Sequence, residues 1–262
     1  MSAQSATITA SEPAQVMLLD HSDLRHALAA GWRDFRAAPV FGLFFASVYV
    51  ACGWLIFFAM TVAGQVWWTL PAAAGFPILG PFIACGLYEV SRRQERAEAL
   101  TWAGVLGVVL RQKDRQIPSM AAVIVVFFLL WNFLAHMIFA LFLGMSTMTN
   151  ISTSLAVFTT AQGLLMLGFG TVIGAVFAAV LFALTVVSLP MLLDREVDFV
   201  TAMITSFSVV LHNPMIMLIW GSGVALLLFL GMATGFLGLF VVLPVLGHAT
   251  WHLYRRALAP QD

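Results

Sequence analysis

Charge is scarce in this chain. Only 9% of its 262 residues are Asp, Glu, Lys or Arg, against about a quarter in a soluble domain. With 61% hydrophobic residues and a mean hydropathy of +0.98, that deficit excludes a soluble globular domain and implies an integral membrane protein. The net charge is zero, so nothing marks a nucleic-acid partner. Cysteine is confined to Cys52 and Cys85. Both sit in apolar runs at different expected depths, so a disulfide is not expected. Residues 1–20 lack the apolar centre of a secretory signal peptide and read as a disordered cytoplasmic tail. No Gly-rich phosphate loop, nucleophile–base pair or pair of intramembrane carboxylates is present, so the expectation is no enzyme and no cofactor.

What the chain does have is repetition, the first thing to settle. Asp23 to Pro39 and Asp198 to Pro214 are both sixteen residues apart, and each proline opens a long apolar run. A looser copy runs from about Ala99 to Pro118. The pattern predicts a short surface helix, a proline and a membrane hairpin, three times over. The units are about 23–93, 95–193 and 198–256, within one membrane domain spanning 21–258. Six stretches approach the roughly 20 apolar residues that spanning requires: 40–63, 70–90, 118–143, 161–189, 214–230 and 235–254. Proline suits the first helical turn, where its missing N–H has no partner anyway. Asp23, Asp198 and Asn213 stand where N-caps are expected.

Basic residues fix the orientation. They lie in four places: Arg25, Arg33 and Arg36; 92–115; Arg195; and Arg255 with Arg256. Six spans put all four on one side, which the positive-inside rule makes cytoplasmic, together with both termini. The expected fold is therefore all-α: a polytopic protein of six transmembrane helices in three hairpins, each preceded by an amphipathic helix on the cytoplasmic face. In 23–38, Leu24, Leu28, Trp32 and Phe35 form an apolar stripe, while Arg25, Arg33 and Arg36 are placed to meet anionic lipid headgroups. In 198–212, Phe199, Met203, Phe207 and Val210 line one face and Thr201, Thr205, Ser208 and His212 another. Trp67 and Trp68 mark the outer interface.

Few residues could carry chemistry inside the membrane. Asn132 and His136 sit one turn apart in the third span; they could bind a polar ligand, or bond to a neighbouring span. Cys85 and Glu89 align with His248 and His252 when 81–93 is laid on 244–256. Either the four offer sulfur, oxygen and nitrogen ligands to one metal, or Glu89 pairs with Arg92, Arg93 or His252 while Cys85 packs as a small apolar residue. Gly170, Gly174 and Ala178 form a small-residue stripe suited to close helix packing. Met145 and Met148 are the sole methionine cluster on an outer loop. The acidic group Asp194, Glu196 and Asp198 reads as helix caps and partners for Arg195.

Several stretches carry a resemblance: Gly31-Trp32-Arg33-Asp34-Phe35, the Pro39 onset, Leu189 to Arg195 with Asp198, and Trp251-His252-Leu253-Tyr254-Arg255-Arg256. They resemble a bacterial family of predicted six-span membrane proteins of unknown function, some of whose members are labelled cytochrome c oxidase subunit I. The likeness covers about 24–258. It implies a multi-pass protein of the bacterial inner membrane and brings no catalytic residues with it. A haem-copper subunit holds its metals with histidines inside the membrane, and this chain has too few for that. The expected role is non-enzymatic, supporting or assembling another membrane complex, a respiratory one among the candidates. The alternative is a transporter or binder of a lipid or small apolar molecule, with a cavity between the repeats.

Overall fold

The computed structural model describes residues 15–61, 69–112, 114–144 and 160–260, with backbone alone for 59–61 and 69–79. Trp67, Trp68, Met145 and Met148 lie outside the described residues. Among the described residues ten helices follow one another: α1 (His21–Ala37), α2 (Pro39–Thr61), α3 (Thr69–Glu95), α4 (Trp102–Gln112), α5 (Ile117–Leu143), α6 (Ala161–Thr185), α7 (Ser188–Asp194), α8 (Phe199–His212), α9 (Pro214–Ala233) and α10 (Leu239–Ala257). Among the described residues there are no strands, only an isolated bridge between Val16 and Leu258.

Among the described residues, four stretches are long and apolar enough to cross a membrane: Pro39–Phe58, Ile117–Leu143, Ala161–Asp194 and Pro214–Ala233. The chain is a polytopic helical membrane protein. The sixth expected span does not meet that standard: α10 carries a proline, two histidines and two arginines in 19 residues. The second lies only partly among the residues whose side chains are described.

Proline shapes the joints. α2 and α9 begin at Pro39 and Pro214, and Pro118 falls in the first turn of α5. A proline ring keeps the residue before it out of the α region. Ala38 and Asn213 accordingly adopt nearly the same backbone, φ/ψ −139°/57° and −126°/49°, and their N–H groups donate to Asp34 and Val209 carbonyls. The chain turns there without losing its last helical hydrogen bond.

α10 is the axis on which α1, α2, α3, α7 and α9 pack. Its Trp251, Leu253, Tyr254 and Ala249 are almost wholly buried. α1 comes closest: a methyl group on Gly31 would sit 2.6 Å from the Ala249 nitrogen and 2.7 Å from the Val245 oxygen. At the far end of α10, Trp54 of α2 donates from Nε1 to the Gly235 carbonyl at 3.0 Å. α5 and α6 pair with each other to one side. α5 otherwise leans mainly on α3, and α6 on α8.

The two helices before Pro39 and Pro214 each use more than one face. On α1, Leu24, Ala27, Ala30, Gly31, Asp34 and Phe35 are buried, while Leu28 and Trp32 stay exposed beside Arg25 and Arg36. The expected stripe is thus divided between protein and surroundings. On α8, Ala202, Ser206 and Val209 face the body. Val200, Ile204, Phe207 and Leu211 recur at helical spacing on an exposed apolar side. Ser206 Oγ reaches the break between α6 and α7, donating to the Ala183 carbonyl at 2.7 Å and accepting from Val187 N at 3.1 Å.

Capping follows the expectation once and departs from it twice. Asp198 caps α8 as expected, accepting from Val200 N, Thr201 N and Thr201 Oγ1. For α1 the cap is Asp20. Asp23 is its reciprocating partner three residues on, because the helix starts one turn earlier than the apolar pattern does. Asn213 occupies the N-cap position of α9 without capping it, its side chain being used elsewhere. The Thr201 hydroxyl, with the Thr201 and Val200 N–H groups, holds the Asp198 carboxyl below its ordinary pKa. The carboxylate therefore stabilises the fold above its unfolded value of about 3.9, and that contribution is lost as pH falls through the depressed folded value. Asp198→Ala is expected to cost about 1 kcal/mol near neutral pH. The gap from the parent should close in melts taken at progressively more acidic pH.

Candidate functional site at the charged end

The sequence disperses its charges, but the fold brings most of them to one end. The end of α3, the end of α7, the last turns of α10 and both ends of α1 meet there. Glu89, wholly buried, accepts from Arg92 Nε and Arg93 Nε, both at 2.7 Å. Asp34 of α1, also buried, takes His252 Nε2 at 2.7 Å, and its backbone oxygen takes Gln94 Nε2 at 3.2 Å. Glu95 accepts from Trp251 Nε1 and Arg255 Nε at 3.0 and 3.1 Å. Asp194 accepts from Tyr254 at 2.9 Å and from Arg96 and Arg255 at 3.3 Å each. Arg256 reaches Asp23, and Arg115 reaches Glu196 at 2.9 Å. The Glu89 carboxylate carries the Arg92 guanidinium above its ordinary pKa. For Arg255, burial pulls downward, but Glu95 and Asp194 carry it upward.

The expected metal set is not assembled. Glu89 is taken by two arginines, His252 by Asp34, and His248 Nδ1 by Ser91 at 2.8 Å. Cys85 is free and buried. Among the described residues no group of three or more His, Cys, Asp or Glu is placed to hold a metal ion. A carboxylate flanked by arginines three and four residues on closes a local pair before a distant histidine can compete.

The other singled-out residues are placed as follows. Asn132 Nδ2 donates to Phe128 O at 2.8 Å, and His136 Nδ1 bonds Asn132 O at 2.7 Å. Among the described residues neither reaches another span, which departs from the interhelical reading. With Nδ1 engaged by that carbonyl, the His136 ring leaves Nε2 at an exposed position. Gly174 packs under Trp131 of α5, where a methyl group would come within 2.9 Å of the ring; the Gly170 site touches Ile138. Ala178 is exposed, so the stripe joins α5 over its first two members only. Trp131, Ile138, Gly170 and Gly174 help line an apolar cleft of about 300 Å³ between α5 and α6. Arg25, Arg33 and Arg36 are exposed and form no ion pair among the described residues.

Two groups carry roles that the sequence reading did not assign. Arg195 does not pair with the acidic group around it. It is buried, donating from Nε to Tyr254 Oη at 3.1 Å and from Nη2 to Ala259 O at 2.7 Å. Asn213 binds the segment expected to be disordered: Oδ1 accepts from Leu19 N at 2.7 Å, and Nδ2 donates to Met17 O at 3.0 Å. Met17 N also donates to Ala257 O, and Ala259 N to Gln15 O. Residues 15–20 are thus fastened across the ends of α8 and α10. Asn213→Ala should remove two of those bonds, about 1 kcal/mol each, and expose the segment. Faster limited proteolysis before His21, with α9 unaffected, is the expected readout.

No curated protein and no solved structure matches the chain. A family described as "Predicted integral membrane protein (DUF2189)" matches residues 69–194, from the start of α3 to the end of α7.

Proposed function

We propose that the chain is a non-enzymatic, six-span protein of the bacterial inner membrane that holds another membrane protein against its α5–α6 face. The observation that carries this is how little of α5 the chain covers. Only 6% of its apolar stretch is buried inside the protein, although α5 bears His136, whose Nε2 has no hydrogen-bond partner among the described residues. A polar ring atom facing hydrocarbon is costly. A neighbouring helix with a hydroxyl or indole N–H would satisfy it.

Six spans are supported by α3 and α10 lying inside the bundle. A helix shielded by neighbours can be less apolar than one facing lipid. The chain from Gly235, beside Trp54, through α10 to Arg256, beside Asp23, connects the uncharged end to the charged one. With the arginines gathered at that second end, it is the cytoplasmic one, and both termini lie with it. The matching turns before Pro39 and Pro214 support the repeat. The exposed Leu28 and Trp32 flank of α1 and the apolar side of α8 support helices lying in the inner interface.

The test is a photo-crosslinker at Met137, in native membranes. Transfer to one other membrane protein, lost on His136→Leu, supports the proposal. Labelling of lipid alone overturns it. The cleft of about 300 Å³ between α5 and α6 favours the second reading, in which an acyl chain or small apolar molecule lies there. A bound lipid lost on Gly174→Leu would select that reading instead.

A further inference from the structure

At the charged end a cavity of about 240 Å³ opens between the ends of α3, α7 and α10, lined by Arg96, Asp194, Arg195, Arg255 and Pro260. Three guanidiniums thus face one carboxylate. Asp194 already accepts from Arg96, Arg255 and Tyr254, and Arg255 has Glu95 as well. The converging helix C-termini add partial negative charge within their last turns. Arg96 and Arg255 answer those charges. Arg195 is left over: it is 6% exposed, and among the described residues it has no carboxylate within ion-pair reach.

A buried cation without a counter-ion is costly. Arg195 is held by two neutral acceptors, the Tyr254 hydroxyl and the Ala259 carbonyl. They fix the plane of the guanidinium and leave Nη1 without a protein acceptor among the described residues. A planar fork held at the base of a cavity, with two exposed guanidiniums at its rim, matches an oxyanion that accepts several N–H bonds at once. The rim is open to solvent: the side chains of Arg96 and Arg255 are 49% and 36% exposed.

We infer that this cavity binds a phosphate group, with Arg195 as the fixed donor and Arg96 and Arg255 closing over it. The phosphate belongs either to a lipid headgroup or to a free anion, and the site's chemistry is the same for both. It is separate from the α5–α6 face.

The test uses the full chain, purified in neutral detergent. Inorganic phosphate is titrated against chloride at equal ionic strength and followed by melting temperature. In parallel, lipid retention is measured by native mass spectrometry from bilayers of phosphatidylglycerol and of phosphatidylcholine. Two variants are compared. Arg195→Lys keeps the charge but loses the fork, and Arg96→Gln changes only the exposed rim, which protects the result if the first variant misfolds. A phosphate-specific rise in melting temperature, with affinity about tenfold weaker in either variant, assigns a free anion. Phospholipid retained by the parent and lost in the variants assigns a headgroup. Chloride matching phosphate with no lipid retained, or binding unchanged in both variants, overturns the site.

Discussion

Gly31→Leu is expected to detach α1 from the bundle. The Cβ it adds would meet backbone atoms of α10, the Ala249 nitrogen at 2.6 Å and the Val245 oxygen at 2.7 Å. Backbone cannot rotate aside as a side chain can. Overpacking a tight contact costs about 1–3 kcal/mol, and the rest of the leucine adds to that. α1 also contributes buried Asp34, the partner of His252, so its displacement exposes a polar pair together with Phe35 and Ala27. The expected readouts are a lower melting temperature in detergent and trypsin cleavage at Arg33 and Arg36, slow in the parent because they lie in a docked helix. Gly168→Leu is the control: nothing lies within 4 Å of a Cβ there, and neither readout should move. Unchanged trypsin resistance in the Gly31 variant would refute the close packing of α1 on α10.

That contact also shows how far the sequence could be read. The elements themselves were legible. Proline onsets, helical spacing and charge distribution are local, and α1, α2, α5, α8 and α9 follow from them. The second face of α1 was not legible. Ala27, Ala30 and Gly31 are too small to register as an apolar stripe, yet they permit the close backbone approach of α1 to α10. Residues that pair across the chain leave no local trace either. Asp34 and His252 are separated by 218 positions, and nothing near either names the other. The metal reading failed for the opposite reason. It joined distant residues at similar depth, although Arg92 and Arg93 already stood at the right spacing to claim Glu89. Asn213 was read as a cap from residue type alone, and the arrival of residues 17–19 gave it a different task.

Glu89→Ala is expected to destabilise the protein by about 3–5 kcal/mol, the usual cost of removing one member of a buried ion pair. Its carboxylate has no exposed surface and divides itself between Arg92 and Arg93, whose side chains are 20% and 17% exposed. Without it, Arg92 has no carboxylate left in ion-pair reach among the described residues, whereas Arg93 keeps Glu98 at 3.7 Å and the Ala99 carbonyl. Most of the loss should therefore trace to Arg92. Glu89→Gln, which preserves volume and one acceptor, should lose less. A further variant separates the worth of the interaction from the cost of the orphaned charges: Glu89→Leu with Arg92→Met and Arg93→Met leaves no charge unpaired. It should recover most of the stability of the parent in a denaturant or thermal melt. If that triple variant is as unstable as Glu89→Ala, the carboxylate contributes through its own hydrogen bonds. If Glu89→Ala melts like the parent, the two arginines find water or lipid phosphate at no cost, and the end of α3 is more open than its burial implies.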